Sequence, residues 1–354
     1  MHRFFLLSLL TGCALAGNPA IPPGPALETM RPRHVQYWDP ALVDLRVYSS
    51  YPSVTFHEGR PTLWHTGHTW TGADGLDMDV DRFTRQTGPR LDALGAPESL
   101  ARLTDLIDDV FDPAQPDRLA PQRSLSRAHV IHDPELGYVG LVSVYPEFGV
   151  YLRPALITSK TGEPGTWRYL GQLPGDPAEA AARQVIYSDG GGLFRTKDQR
   201  WRLYLNGYVE GALSILEADT LAGPWRPLRD ATGAPRLIKV NPGPDPILFP
   251  HLLRVSDSEW HLWLCNRWIP TEIWHYVSDN GLDFRPYGKQ PEIVRDPAQP
   301  GFKGIRAHVS ADGTRIIGLL PIWDESVRPA EWRLYATSMP VGKVPVESTA
   351  QDKK

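Results

Sequence analysis

Cysteine is almost missing from this chain of 354 residues, which has two, Cys13 and Cys265. One stands near the N-terminus, so the body keeps a single thiol; that excludes an intrachain disulfide there and leaves a cysteine-ligated zinc unsupported. Inside the apolar run Leu262-Trp263-Leu264-Cys265, Cys265 reads as a small core residue. An excess of either charge is missing as well. With 37 Lys and Arg against 41 Asp and Glu, the net charge of −4 leaves no basic footprint for nucleic acid. Nor does any window of about 18 apolar residues exist that could span a bilayer as a helix.

Proline (35), glycine (31) and tryptophan (12) are plentiful. That mixture suits many short strands separated by tight turns, an all-β architecture. Repeats at regular spacing support it. Five segments share an outline of one short apolar strand, a Gly, Asp or Ser turn, and a second apolar-aromatic strand. The first strands are expected at Ser53 to Phe56, His129 to His132, Gly192 to Phe194, His251 to Arg254 and Ile305 to Val309. Their partners are expected at Thr62 to His65, Tyr138 to Ser143, Trp201 to Leu205, Trp260 to Leu264 and Arg315 to Leu320. Third strands follow at Ala155 to Ser159, Ser214 to Ala218, Ile273 to Ser278 and Arg333 to Ser338, and fourth strands are marked by Trp167-Arg168-Tyr169, Trp225-Arg226-Pro227-Leu228 and Phe284-Arg285-Pro286-Tyr287. Four antiparallel strands repeated radially describe a five-bladed β-propeller over residues 34–342, with a two-domain β-sandwich as the competing architecture. Between the first two units, Leu100, Leu103, Leu106, Ile107, Val110 and Phe111 recur at helical spacing, which predicts a short inserted helix over 97–111.

The N-terminus reads as an export signal: Met1-His2-Arg3, then the apolar run Phe4 to Leu10. Leu10-Thr11-Gly12-Cys13 resembles the bacterial lipobox, whose cysteine becomes the lipidated first residue. On that resemblance residues 1–12 are a signal peptide, Cys13 is a membrane anchor, and 13–33, with Asn18-Pro19-Ala20-Ile21-Pro22-Pro23-Gly24-Pro25, are an extended tether of a cell-envelope lipoprotein. Cleavage after Ala14-Leu15-Ala16 is the alternative, and it exports the chain too. Residues 343–354 are expected to be a disordered tail.

Propeller geometry places a site without any motif. In a hairpin, the start of the first strand and the end of the second share one sheet edge, so these positions from every blade crowd one mouth of the channel. They are Ser50 and Tyr51 with His65 and His68; Arg127 with Glu147; Asp189 with Asn206 and Glu210; Phe249 and His251 with Asn266 and Arg267; and Arg306 with Trp323, Asp324 and Glu325. Carboxylates, amides and aromatic rings in one funnel suit a sugar, whose hydroxyls need paired partners and whose CH faces stack on rings. The stretch Ser188-Asp189-Gly190-Gly191-Gly192-Leu193-Phe194 stands out, a carboxylate ahead of glycines that admit a close backbone or ligand. Asp133, in His132-Asp133-Pro134, falls at the opposite hairpin and reads as a turn residue.

The five-unit pattern, the Ser-Asp-Gly-Gly-Gly-Leu-Phe stretch at Ser188 and the blade endings Gly165-Thr166-Trp167, Gly223-Pro224-Trp225 and Ser278 to Phe284 resemble the five-bladed propeller glycosidases of glycoside hydrolase families 43 and 32. The resemblance covers roughly Tyr48 to Ser338. It implies a third-blade aspartate that orients substrate, a position Asp189 matches. The first-blade and fourth-blade acids it also implies are replaced by Tyr51-Pro52-Ser53 and Leu248-Phe249-Pro250-His251. Hydrolysis usually needs two carboxylates, about 5 to 5.5 Å apart for retention and about 6.5 to 9.5 Å for inversion. Glu147 or Glu210 as proton donor and Asp324 or Glu325 as base are the expected replacements. Tyr51, His65, His68, Arg127, Asn206, His251, Asn266, Arg267, Arg306 and Trp323 are expected to bind substrate. The resulting expectation is an exported, monomeric glycoside hydrolase acting on a furanoside or pyranoside bond, against the alternative of a non-catalytic propeller that binds glycan or protein. No cofactor is expected, with a structural calcium in the central channel left open.

Overall fold

Each second strand is apolar on both faces, and the reason is architectural. In β11 (Trp201–Asn206), Leu203 and Leu205 enter one core cluster while Tyr204 enters the next. In β16 (Glu259–Cys265), Trp263 and Cys265 face one way and Leu262 and Leu264 the other. Successive side chains of a strand point to opposite faces, so a strand apolar throughout belongs to a sheet covered on both sides.

The molecule is known from a computed structural model that describes residues 38–39, 42–49, 51–66, 82–102, 124–145, 153–173, 191–206, 212–240, 248–266, 270–295, 300–324 and 331–342. A first strand, β1 (Val43–Tyr48), precedes the repeats. Then β2 (Ser53–His57), β3 (Arg60–Thr66), β4 (Arg82–Thr87) and β5 (Glu98–Arg102) form one antiparallel meander. A second comprises β6 (Ser124–Asp133), β7 (Gly137–Tyr145), β8 (Arg153–Ser159) and β9 (Arg168–Gln172). The third is β10 (Gly191–Arg195), β11, β12 (Leu213–Ala218) and β13 (Arg226–Pro227), with β14 (Leu237–Ile238) also on β12. The fourth is β15 (Leu248–Ser256), β16, β17 (Glu272–Ser278) and β18 (Arg285–Pro286), with β19 (Ile293–Val294) on β17. The last holds β20 (Arg306–Val309), β21 (Arg315–Asp324) and β22 (Glu331–Pro340), and its outermost member is β1, paired Val43 to Ala336.

The innermost strands close a ring. β2 touches β6 and β20, β20 touches β15, β15 touches β10, and β10 touches β6. Five core clusters fill the five seams between neighbouring sheets. Trp64, Phe83 and Trp167 pack in the first seam, Leu193, Trp201 and Trp225 in the second, Tyr204, Trp260 and Tyr276 in the third, Trp263, Phe302 and Ile316 in the fourth, and Leu45, Leu63 and Leu334 across the closure. Burying an aliphatic or aromatic side chain of this size stabilises by about 2 to 3 kcal/mol, so the seams hold the ring together. Cys265 is buried in the fourth seam and in no disulfide, a core residue as its apolar context implies.

Apart from the single parallel pairing of Gly191 in β10 with His251 in β15, the inner strands pair with no strand on their channel side among the described residues, and side chains cover part of that exposed backbone. The Val54 amide donates to Nε2 of His308 at 3.2 Å. The Val130 amide donates to Ser53 Oγ at 3.0 Å, His251 Nε2 to the Ala307 carbonyl at 2.7 Å, and Arg306 Nη1 to the Pro250 carbonyl at 3.0 Å. Each of these bonds crosses from one sheet to the next.

One expected element is corrected. The segment predicted as a helix over 97–111 begins as strand β5, and residues 103–123 lie outside the described residues. Glu98 faces out onto Arg85, and Leu100 is buried with Trp64, Phe83 and Trp167, so the edge of β4 recruits the segment by alternation. Helical spacing of apolar positions carries no information about a neighbouring strand edge, and pairing with β4 decides the conformation. The only helical turn among the described residues is the 3-10 turn Leu91–Ala93. No helix among them is long and apolar enough to cross a membrane.

Candidate functional site

At the end of the ring where the inner strands begin, three sheets contribute to one buried cationic and aromatic cluster. Tyr51, just before β2, is buried with its ring 6.0 Å from that of Phe249 in β15. The guanidinium of Arg306, the first residue of β20, lies 5.4 Å from the Tyr51 ring centre. The ammonium of Lys303 sits 5.1 Å from the ring of Phe249 and 5.1 Å from that of Trp332. Both cations are almost fully buried, Arg306 at 7% exposure and Lys303 at 6%. Faces of aromatic rings attract cations, which offsets part of the cost of taking them from water. Phe249 has φ of 48°, a left-handed backbone that a bulky residue adopts only where its surroundings enforce it, and such positions gather at functional sites. Sequence reasoning put Tyr51, Phe249 and Arg306 in one funnel; it missed Lys303 and Trp332. The adjacency of Phe302 and Lys303 just before an inner strand is the signal that could have found the lysine.

Deeper on the axis, His129, His251 and His308 face one another, with ring centres 5.7 Å apart for His129 with His251 and for His251 with His308, and 6.4 Å for His129 with His308. Burial and the nearby Arg306 push His129 down to about 4. Burial, His129 and Arg306 push His308 down to about 3, and His251 falls well below its ordinary value for the same first cause. All three are neutral near pH 7. The bonds fix two tautomers: His251 donates from Nε2, so its Nδ1 is a bare acceptor, and His308 accepts at Nε2, so its proton is on Nδ1. Calcium takes oxygen ligands, and an axis of imidazoles with a guanidinium does not fit it. No group of three or more histidines, cysteines or acids stands at metal-holding geometry among the described residues.

His65, at the end of β3, is buried rather than on a rim, and burial pushes it down to about 4 against the opposing pull of Gln86. Asn206 is buried at the end of β11. Asn266 accepts the amides of Thr271 at 3.1 Å and Glu272 at 3.3 Å and donates to Thr271 Oγ1 at 3.0 Å, so its amide closes the connection from β16 to β17. Trp323 packs on Trp332 with ring centres 5.0 Å apart. Asp324 accepts from the Tyr48 hydroxyl at 3.3 Å and from Arg333 at 3.3 Å, which ties it to β1 and β22 at the outer side of the last sheet. Arg127 lies in β6 at a bulge between Ser126 and His129, with its side chain outside the description. Cys13, His68, Glu147, Asp189, Glu210, Arg267 and Glu325 lie outside the described residues.

The glycines after Asp189 have a packing reason. Gly191 has φ of 140°, and a Cβ there would come within 1.8 Å of the Tyr204 carbonyl oxygen; one on Gly192 would meet the Phe194 ring at 2.4 Å and Leu252 Cβ at 3.0 Å. Gly191 is also the single parallel partner of His251, where β10 and β15 touch. Neighbouring backbone and side chains, then, are what these two glycines admit. Asp133 is the turn residue its position implied, its Oδ1 accepting the amides of Glu135 and Leu136, both at 2.9 Å.

No protein-family model and no curated protein matches the chain. Solved structures do. A GH43 β-1,3-galactosidase with galactodeoxynojirimycin aligns with TM-score 0.56 at 12% identity, over 83% of this chain and 90% of that one. The α-L-arabinofuranosidase from Lactobacillus brevis gives TM-score 0.56 at 12% identity over the same shares, 83% and 90%. A thermostable family-43 glycoside hydrolase gives 0.55 at 15% identity, over 87% and 96%. The fold is that of the family-43 glycoside hydrolases. This family-43 propeller fold extends over nearly the whole length of both partners, so the chain is similar to those enzymes as a whole and not through one shared sheet.

Proposed function

We propose that the chain is a glycoside hydrolase, acting on a furanoside or pyranoside bond at the mouth where the inner strands begin. The observation that carries the reading is the fold shared with family-43 enzymes, among them a galactosidase and an arabinofuranosidase. The buried cluster of Tyr51, Phe249, Arg306 and Lys303 at that mouth supports it: rings and cations in one place suit the CH faces and hydroxyls of a sugar, or the carboxylate of a uronate. In this proposal Asp189, just ahead of β10, orients the sugar and raises the pKa of the acid; Glu210 or Glu147, following the second strands of their sheets, protonates the leaving oxygen. Asp324 is already engaged by Arg333 and Tyr48, which leaves the base role to its neighbour Glu325. The chain is exported and held at the cell envelope through Cys13, and it works as a monomer.

A second reading, a propeller that binds glycan without cutting it, draws on the same arrangement of Asp324: the one described acid of the expected set is tied into the outer edge of its sheet. One experiment separates the two. The purified protein is screened against aryl glycosides and against plant and bacterial polysaccharides, with Asp189→Asn in parallel. Turnover lost in D189N supports the enzyme, turnover unchanged in D189N overturns the site, and saturable sugar binding without turnover establishes the second reading.

A further inference from the structure

The fourth sheet carries a row of four titratable side chains that the proposed site does not use. Glu259 and His261 stand in β16, His275 in β17 and Glu292 just before β19. His261 Nε2 lies 3.1 Å from Glu259 Oε1, His261 Nδ1 lies 2.9 Å from His275 Nε2, and His275 Nδ1 lies 2.8 Å from Glu292 Oε2. The last contact is bent, with the nitrogen's hydrogen off the line to the oxygen, so it is closer to an ion pair than to a hydrogen bond. His261, His275 and Glu292 are buried, at 1%, 3% and 3% exposure, and the side chain of Glu259, 21% exposed, is the row's opening to water.

The row needs more protons than its imidazoles supply when neutral. Each of the three contacts joins two atoms that both carry lone pairs, so each needs a proton between them, whereas two neutral imidazoles hold two. A carboxylic acid does not supply the third. The bond from His261 holds Glu259 below the ordinary carboxyl value; burial would raise Glu292, but His275 and the indoles of Trp38 and Trp263 outweigh it and hold that carboxyl low too. The third proton belongs to the imidazole pair, which then carries one positive charge between two negative ones. A fourth would set two N–H groups against each other at 2.9 Å, so the pair loads once. Burial pushes His261 down, Glu259 and Glu292 pull it up, and His275 adds to the downward push, which puts loading below the ordinary histidine value of 6.5.

The other titratable groups packed around the row are Tyr287, stacked on His275 with ring centres 4.3 Å apart, His251 on the far side of the Trp263 ring, and Cys265 and Tyr335 in the same seam. The leading segment and the last sheet bring Asp39 and Arg315, which pair at 3.5 Å. The two ends of the row hold the two ends of the described chain. Glu259 Oε1 also accepts the amide of Gly342, just past β22, at 3.1 Å, and Glu292 accepts the indole N–H of Trp38.

We propose that Glu259, His261, His275 and Glu292 form a proton-loaded latch, closed in mild acid, that ties the end of the last sheet to the fourth. Loading puts protons on both nitrogens of His261 and on Nδ1 of His275, and all three contacts close. As pH rises, the third proton leaves His261 Nε2 by way of Glu259 to water. A bare nitrogen then faces the carboxylate, Glu259 turns to solvent, and the Gly342 amide is released. The latch stands whether or not the chain hydrolyses glycosides.

The test uses the full-length protein with isotopically labelled histidine and glycine, read by long-range proton–nitrogen NMR from about pH 8 down to about pH 5.5. We expect the two rings to hold two protons between them at the upper end and three at the lower, gained in one step that both rings report. The Gly342 amide signal should shift over that same step. Glu259→Gln removes the charge that draws the third proton, at a position open to water, and should move the step down by about one pH unit or more. Four protons on the pair at the lower end, no uptake across the range, a Gly342 amide that does not follow the rings, or an E259Q step at the parent's pH overturns the proposal.

Discussion

Nε2 of His308 accepts the amide hydrogen of Val54 at 3.2 Å, across the seam where the last sheet meets the first. An imidazole accepts there only while that nitrogen is bare. Protonation would turn the acceptor into a second donor facing an amide, with Arg306 and the other two axis histidines close by. The folded chain therefore holds His308 near 3, below its ordinary 6.5, and the unfolded chain takes up the proton first. Stability from this group is complete above about 6.5 and is lost as pH falls through the window between 6.5 and 3. The loss for His308 alone is on the order of 4 kcal/mol at the bottom of the window. Urea midpoints measured across it should fall with acidity, and the slope should flatten in His308→Asn. A slope identical in H308N would show that the histidine does not carry the effect.

Glu292, 3% exposed, receives the indole N–H groups of Trp38 and of Trp263, the latter at 3.1 Å, and stands 2.8 Å from His275 Nδ1. Burial alone would raise its pKa, but His275 and the two indoles outweigh it and hold the carboxyl below its ordinary value. The carboxylate joins the segment before β1 to the fourth sheet. Glu292→Leu should cost about 3 to 5 kcal/mol in chemical denaturation, because it strands three donors in the core. Glu292→Gln, which keeps one acceptor, should cost less; equal losses in the two would argue that shape rather than charge matters.

Gly191 should tolerate no side chain. Alanine would need to push the Tyr204 carbonyl aside and hold a φ that L-residues avoid, just where β10 meets β15. Gly191→Ala is expected to lower the thermal midpoint strongly or to abolish soluble expression, whereas Gly233→Ala, also at positive φ but with nothing within 4 Å, should lower it less, by the backbone strain alone. Comparable midpoints for the two variants would refute the packing account of the glycine run.

Removing residues 38–48 should leave β22 as a bare edge and take Leu45, Val47 and Trp38 out of two core clusters. Unpaired edges template association, so size-exclusion profiles of the shortened protein should shift to oligomers and aggregates. A monodisperse, monomeric product of unchanged stability would contradict this.

Much of the ring could be read from the residues because period-2 runs with apolar residues on both faces, such as Trp260 to Leu264, demand a sheet between two others. All five expected inner strands lie where strands are found. Of the strands that could not be read, β4 and β1 have clear physical reasons. β4 reads Arg-Phe-Thr-Arg-Gln-Thr, and its buried positions hold Thr84 and Gln86 beside Phe83, so its alternation is of shape and not of hydrophobicity. β1 has a partner that is remote in sequence, which no local pattern announces. At the mouth where the inner strands begin, position along each hairpin placed Tyr51, Phe249 and Arg306 at one end of the ring, where their side chains meet, whereas the employment of Asn266 in its own turn depends on side-chain bonds that spacing cannot show.

The pairing of Val43 with Ala336 also sets an order in time. A polypeptide emerges from a ribosome, or threads through a secretion pore, beginning with its N-terminus. β1 is thus among the first strands to appear, and it must wait for β22, nearly the last, before it has anything to bind. The other four sheets can mature in sequence from contacts close along the chain, but the final sheet is completed by a pairing between strands at opposite ends of the described residues, and such contacts form late. Until that moment the last sheet has three strands, with β22 as a raw edge and β1 unpaired, and any quality-control protease that reads unpaired strands has its longest opportunity there.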